Sequence, residues 1–432
     1  MKIFVIILFA LTFALIIAMP KRKTLTTGIT ALVSVVACLI FGVTSFKAFI
    51  YSIDFNVVLM LVGIMVTVYL FTESLMPKKL ADKLIAKMPN SLTAIILLTI
   101  LSGLVSAFVD NVATVLMLAP IGIAVAKKIN VSPVPVIIAI AVSSNLQGAA
   151  TLVGDTTSVM LGSFASMGFL EFFVLENRIS IFFVVEISAL ATIPIIAFLF
   201  RKDRKKLNIS FENVKVKSIY PTVLLLINIL LLACASFIPL RLVVFGQDIT
   251  NGFICAVIAI IGLIIFLEKK SGTFKGVFKN AIDYQTVLFL VFLFILVGTV
   301  EQVGVIKDIS QLFIGLGTKS VFLLYTVIVF GSVIISAFID NIPYVATMLP
   351  VIKSLTLGLP GVSPYLFYFG LLCGATLGGN ITPFGASANV VGIGILNKEG
   401  YKVKNKDFFK IGIPFTLAAV LISYILVWVI WA

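Results

Sequence analysis

Ser106-Ala-Phe-Val-Asp-Asn-Val-Ala-Thr-Val-Leu-Met-Leu-Ala-Pro120 and Ser336-Ala-Phe-Ile-Asp-Asn-Ile-Pro-Tyr-Val-Ala-Thr-Met-Leu-Pro350 are one phrase written twice, 230 residues apart. Both copies keep the opening Ser-Ala-Phe, an Asp-Asn pair, a Val five residues beyond the Asp and the closing Pro. Each Asp-Asn pair stands in an apolar stretch. A carboxylate in hydrocarbon is costly and marks a functional site by default. Its return at a matched position in a second half points to a transporter whose site lies between repeats.

The rest of the chain agrees with a membrane setting. Of 432 residues, 61% are hydrophobic and 12% charged, against about 25% charged in soluble domains. Apolar runs near the length of a membrane span recur throughout, which predicts an all-α polytopic membrane protein; the alternation of a membrane β-barrel is absent. The net charge of +14 is concentrated in short segments at 21–23, 78–87, 127–128, 201–217, 269–279 and 398–410. Basic loops between apolar spans stay in the cytoplasm, so this charge encodes topology and contact with anionic lipid, not nucleic-acid binding. The chain has no histidine, which removes imidazole relays and His-containing metal sites. Cys38, Cys234, Cys255 and Cys373 fall in predicted spans and read as packing residues. The apolar stretch 3–19 lacks a small-residue cleavage site before Lys21-Arg-Lys and reads as a retained first helix in the cell (inner or plasma) membrane.

With 21–23 inside, spans near 3–19, 25–43 and 56–75 lead to the basic stretch 78–87. The apolar segment 91–126 then has Lys at both ends. Two full spans would fit it; a re-entrant hairpin fits better, because Asp110-Asn111 sits where the chain would turn at membrane depth. Spans near 133–165 and 178–200 complete a first repeat at 1–200, and 201–217 is a cytoplasmic linker. The second repeat, 218–432, has spans near 218–239, 251–268 and 285–303, a hairpin at 320–356, and spans near 363–396 and 411–431. Each half has five full spans, an odd number, so the second inserts inverted. The expectation is two inverted repeats with about 10 transmembrane spans and two re-entrant helical hairpins.

The spans 133–165 and 363–396 are interrupted. The first holds Asn145-Leu-Gln-Gly-Ala-Ala-Thr-Leu-Val-Gly-Asp-Thr-Thr-Ser158 and the second Gly378-Gly-Asn-Ile-Thr-Pro-Phe-Gly-Ala-Ser-Ala-Asn389. Gly, Pro, Asn, Thr and Ser break a membrane helix, and the freed carbonyls, hydroxyls and half-helix ends can hold ions or polar solutes. Gly148, Thr151 and Gly154 align with Gly379, Thr382 and Gly385. Close packing through small residues is the alternative reading of the glycines. Asp110 and Asp340 are the leading ion-binding candidates, with capping of the hairpin helices a compatible second role. Asn145, Asp155 and Ser387 join them; Asp155 faces Ala386 in the alignment, an asymmetry that suggests an ion site on one side only. Asp54 and Asp283 read as N-caps, Glu73 and Glu301 as interfacial, and Glu186 has no assigned partner.

These phrases resemble the ion-transporter superfamily of arsenite/antimonite permeases, the melanosomal P protein, NhaD-type sodium/proton antiporters and divalent-anion/sodium symporters. The resemblance covers nearly the whole chain; Gly378 to Asn389 is most similar to the permease and P-protein branch. It implies a homodimer with a scaffold subdomain and a mobile transport subdomain that moves as an elevator. It also implies that Asp110, Asn111, Asp340 and Asn341 are hairpin-tip residues, and that Thr151, Gly154, Asn380, Thr382, Gly385 and Asn389 line the facing broken helices. Divalent-anion symporters carry Ser-Asn-Thr at both tips, where this chain has Val109-Asp-Asn and Ile339-Asp-Asn; a fixed carboxylate repels a dicarboxylate.

The expected function is secondary transport of a small inorganic solute coupled to protons or sodium, with arsenite or antimonite efflux the first choice. Arsenous acid is neutral near pH 7 and needs no cluster of Arg. Sodium/proton antiport and sodium-coupled (di)carboxylate uptake are the alternatives. An intramembrane aspartyl protease would need a Gly-x-Gly-Asp context that Asp340 lacks. No P-loop is present, so ATP hydrolysis would need a soluble ATPase partner. No cofactor is expected beyond sodium or protons held by the residues above. In a background free of the four native cysteines, single cysteines at Asn90 and Lys127 should react with an impermeant maleimide from the same membrane face. Labelling from opposite faces would replace the hairpin with a single crossing.

Overall fold

The computed structural model describes residues 1–128, 130–202, 214–237, 241–268 and 279–432; parts of the segments 201–217 and 269–279 lie outside the described residues. The first repeat runs α1 (Lys2–Ala18), α2 (Lys23–Ile40), α3 (Phe46–Ser52), α4 (Phe55–Glu73), α5 (Met76–Ile85), α6 (Ser91–Ser106), α7 (Asn111–Lys128), α8 (Pro133–Gln147), α9 (Thr156–Phe164) and α10 (Ile181–Leu199). The second runs α11 (Tyr220–Ala235), α12 (Thr250–Glu268), α13 (Tyr284–Gln302), α14 (Val305–Gly317), α15 (Val321–Ser336), α16 (Asn341–Leu357), α17 (Pro364–Gly378), α18 (Ser387–Lys398) and α19 (Asn405–Trp431). Two short antiparallel β-hairpins, Val174–Ile179 and Val243–Asp248, join α9 to α10 and α11 to α12.

Helix starts follow from local chemistry, and the repeats share it. Asp54 accepts a bond from Val57 N at 3.0 Å, and Asp283 accepts from Gln285 N and Thr286 N at 3.1 and 3.2 Å. These are N-caps that satisfy donors free at a helix start. Pro133 and Pro364 occupy the first turns of α8 and α17, where the missing N–H costs nothing. Linkers at 148–155 and 379–386 then separate α8 from α9 and α17 from α18, so both interrupted spans are broken helices.

The repeats interlock. α4 lies along α12 of the other repeat, and α13 lies along α2. Gly63 makes the first contact possible, since a Cβ there would stand 2.5 Å from the Cys255 carbonyl carbon. Asn56 ties the same pair, accepting from Gly252 N at 2.8 Å. Helices α1 to α4 and α11 to α13 form a scaffold. The hairpins α6–α7 and α15–α16, the broken helices, α10 and α19 form a second body. α5 and α14 lead from one to the other.

The hairpins are re-entrant. α6 has 16 residues, about 24 Å at 1.5 Å per residue, short of the roughly 30 Å hydrocarbon core. Its tip ends inside protein, with Ala107 and Val109 buried. Among the described residues seven helices (α2, α4, α7, α10, α12, α13, α19) are long and apolar enough to cross a membrane. α7 is a hairpin arm; α1, α11 and the two broken pairs complete the crossings.

Three expectations change. The basic stretch 78–87 is not a loop: α5 buries Pro77, Ala81 and Ile85 on one face while Lys78, Lys79 and Lys83 stay out, an amphipathic pattern that lies flat at an interface. Cys234 is exposed on α11, whereas Cys38, Cys255 and Cys373 are buried. Lys23 is the first residue of α2, and its ammonium points into the protein.

Gly63→Val should lower the thermal stability of the detergent-purified protein, by about 1–3 kcal/mol for a side chain forced into a filled contact. Gly331→Ala, which meets no atom within 4 Å, should leave the melting temperature where it is. Equal stability of the two variants would refute the close α4–α12 approach.

Candidate ion- and substrate-binding site

The site is built where hairpin tips meet broken-helix linkers. A helix end leaves carbonyls without partners, and at the tips side chains of the broken helices meet them. The Ala107 carbonyl, closing α6, accepts from Thr151 Oγ1. The Ala337 carbonyl, closing α15, accepts from Thr382 Oγ1 at 2.5 Å. Gly154 and Gly385 allow the same approach: a Cβ at either would lie within 3.0 Å of three carbonyl oxygens, those of Gly148, Ser106 and Ala107 or of Gly379, Ser336 and Ala337. The linkers are themselves braced by Ser158 Oγ on the Gly148 carbonyl (3.1 Å) and, at the matching place, Asn389 Nδ2 on the Gly379 carbonyl (3.0 Å).

Amides cross-link the repeats at their junction. Asn145, fully buried, accepts from Asn111 Nδ2 at 3.1 Å and donates to the Thr376 carbonyl at 2.7 Å and to Asn380 Oδ1 at 3.1 Å. Asn380 returns a bond to the Val142 carbonyl at 2.9 Å.

Three carboxylates surround this junction. Asp110 caps α7 through Val112 N and Ala113 N, at 3.0 and 3.2 Å. Asp155 caps α9 through Thr156 N at 2.7 Å, accepts from Thr157 Oγ1 at 3.1 Å, and also accepts from Asn341 Nδ2 of the opposite hairpin at 3.1 Å. Asp340 accepts from Ser387 Oγ at 3.1 Å and from Lys23 Nζ at 2.9 Å. Asp155 lies within electrostatic reach of both Asp110 and Asp340. Both tips therefore meet one linker, although their hairpins enter from opposite sides.

All thirteen candidate residues converge on this region, in two kinds. Asp110, Asn111, Asn145, Asp155, Asp340, Asn341, Asn380 and Ser387 present groups that could hold an ion or solute. Thr151, Gly154, Thr382, Gly385 and Asn389 hold the linkers against the tips. Lys23 was missed, since no local signal links it to an Asp 317 positions away. Glu186 stands apart, in a pocket of about 180 Å³ between α6, α8 and α10, with Oε1 unbonded. A wide cleft of about 690 Å³ is elsewhere: Asp54, Glu171, Gln247, Glu301 and Lys353 line it at the far end of α13 from Lys23, and no tip residue lines it.

Inverted repeats, paired re-entrant hairpins and facing broken helices define a multi-pass secondary transporter of the cell membrane, not an enzyme. The chain matches the CitMHS family, described as citrate transporters, over residues 13–356 and 242–432, and belongs to it. It is 30% identical to the 46 kDa membrane protein of Mycobacterium leprae, across 99% of this chain and 98% of that protein. It is 26% identical to the human P protein, across 93% of this chain and 57% of the P protein. Solved structures of the Alcanivorax borkumensis YdaH transporter and of Neisseria gonorrhoeae MtrF, described as one of a class of antimetabolite efflux pumps, share the fold. Each has a TM-score of 0.57 at 14% identity; they cover 87% and 92% of this chain, and the matches span 84% and 83% of theirs.

Asn145→Ala should strip bonds from Asn111, Asn380 and the Thr376 carbonyl, at roughly 1–3 kcal/mol for each buried group left unpaired. A clear fall in melting temperature is expected; an unchanged one would show that the amide does not hold the repeats together.

Proposed function

We propose that the chain is a proton- or sodium-coupled transporter in which Asp110, Asp155 and Asp340 bind the coupling cation and the neighbouring amides bind a small solute. The observation that carries this reading is the gathering of three buried or half-buried carboxylates from three segments around one inter-repeat junction. Groups so placed are neutralised by protons, by a metal cation or by a fixed partner. A neutral oxyacid fits the rest, since Asn, Thr and Ser side chains surround the carboxylates and the ammonium present, that of Lys23, is held by Asp340. Arsenous acid, exported, is the substrate this reading favours. Sodium/proton antiport is the second reading, supported by the same carboxylates acting without a solute. A free citrate anion, which the family description suggests, would meet repulsion from these carboxylates unless a bound cation screened them.

We infer an elevator motion of the hairpin-bearing body against the scaffold. Its support is the body's place beside the scaffold: the Asp340 tip touches the cytoplasmic start of α2, while the wide cleft lies at the opposite end of α13.

Proteoliposomes loaded in turn with arsenite, sodium or citrate, under separately imposed proton and sodium gradients, test the proposal. Flux of one of them driven by one gradient is expected, and Asp155→Asn should reduce it by at least about tenfold by removing a charge made for the cation. Wild-type coupling retained in Asp155→Asn would overturn the assignment of the cation site.

A further inference from the structure

Lys23 belongs to the scaffold and Asp340 to the moving body. Thr24 Oγ1 donates to the Gln285 carbonyl at 2.9 Å, which fixes the start of α2 to the start of α13. From that anchor the Lys23 ammonium reaches the hairpin tip and bonds Asp340 Oδ2 at 2.9 Å, with side-chain exposures of 21% and 14%. Ser387 Oγ donates to the same oxygen at 3.1 Å. The ammonium thus stands where a sodium ion or proton bound to Asp340 would stand. The arrangement is one-sided: α12, the counterpart of α2, begins with Thr250, and Asp110 is met by backbone N–H groups.

We propose that Lys23 is a built-in competitor for the coupling cation, neutralising Asp340 only while the body is docked in this state. The inference rests on the reading of Asp340 as a cation-binding group. If the body moves along the scaffold, Lys23 cannot follow. A bare Asp340 would then travel uncompensated through a low-dielectric interface, which its desolvation opposes. Departure therefore requires a proton or sodium ion to take Lys23's place on Asp340. The displaced ammonium keeps an acidic group and an aromatic face near it: Asp283 lies within electrostatic reach, and the Phe289 ring lies 5.0 Å away. Asp340 and Asp110 both lie within electrostatic reach of Asp155. Competition of this kind discourages movement of the empty carrier and makes solute flux depend on the ion. Lys23 is on this account a positioning residue, acting through Asp340.

Lys23→Gln and Lys23→Arg in proteoliposomes test it. In Lys23→Gln the cation concentration for half-maximal flux should fall by about tenfold, one contact's worth of competition removed, and flux without a cation gradient should rise. Lys23→Arg should stay near wild type. Half-saturation and leak equal to wild type in Lys23→Gln would overturn the proposal. A second measurement needs no solute. Spin labels at exposed Leu32 on the scaffold and exposed Ile334 on the second hairpin report the docked distance in wild-type protein. Adding the coupling cation, as sodium or by lowering pH, should reduce the docked population, and Lys23→Gln should reduce it without cation. A docked population indifferent to both would overturn the competition, even where transport itself is intact. Absence of coupled flux in wild type, with the label response preserved, would instead count against the transport reading alone.

Discussion

The carbonyls of Ala107 and Ala337 set the terms for everything around them. Each ends a hairpin helix inside the protein, where an unpaired carbonyl is expensive. Each is met by a threonine hydroxyl from a broken helix, Thr151 or Thr382. A broken helix has linker groups free to make such a bond; a continuous helix would have consumed its backbone donors and held its side chains at a distance. Conversely, a linker left open at membrane depth needs a partner with free groups, and the tip provides one. Hairpin and broken helix are thus each other's solution to one desolvation problem, and the polar centre arises at their meeting.

That dependence explains what the sequence disclosed. The duplicated Asp-Asn phrase, the Gly154/Gly385 pair and the Thr151/Thr382 pair are local signals that recur at a near-constant offset, so the inverted architecture and the thirteen candidate residues could be read without coordinates. Contacts between repeats could not. Nothing adjacent to Asn145 says that its amide binds the Thr376 carbonyl and Asn380, and nothing adjacent to Asn341 says that it reaches Asp155. Basic residues were the least legible. Lys78, Lys79 and Lys83 face outward from a short amphipathic helix, while Lys23, a few residues past another apolar span, turns inward. Hydropathy averages over the direction of a side chain, and that direction decided the difference.

The departures from twofold symmetry lie at charges. The braces are matched across the repeats, Ser158 with Asn389 and Gly154 with Gly385, because both halves must solve the same backbone problem. Asp155 has Ala386 as its counterpart, and Lys23 has a threonine at the start of α12. On the reading proposed above, a symmetric frame with asymmetric charge would give the two halves different affinities for the same ion. In a symmetric carrier the two end states would be related by the repeat axis and equal in energy; in a symmetric or an asymmetric carrier alike, net direction comes from the imposed gradients. Here Asp340 is met by the Lys23 ammonium, while Asp110 and Asp155 are met by N–H and hydroxyl groups; on the reading proposed above, the end states then differ in how many mobile cations they require. That difference ties occupancy to position, which is the physical requirement for coupling one flux to another.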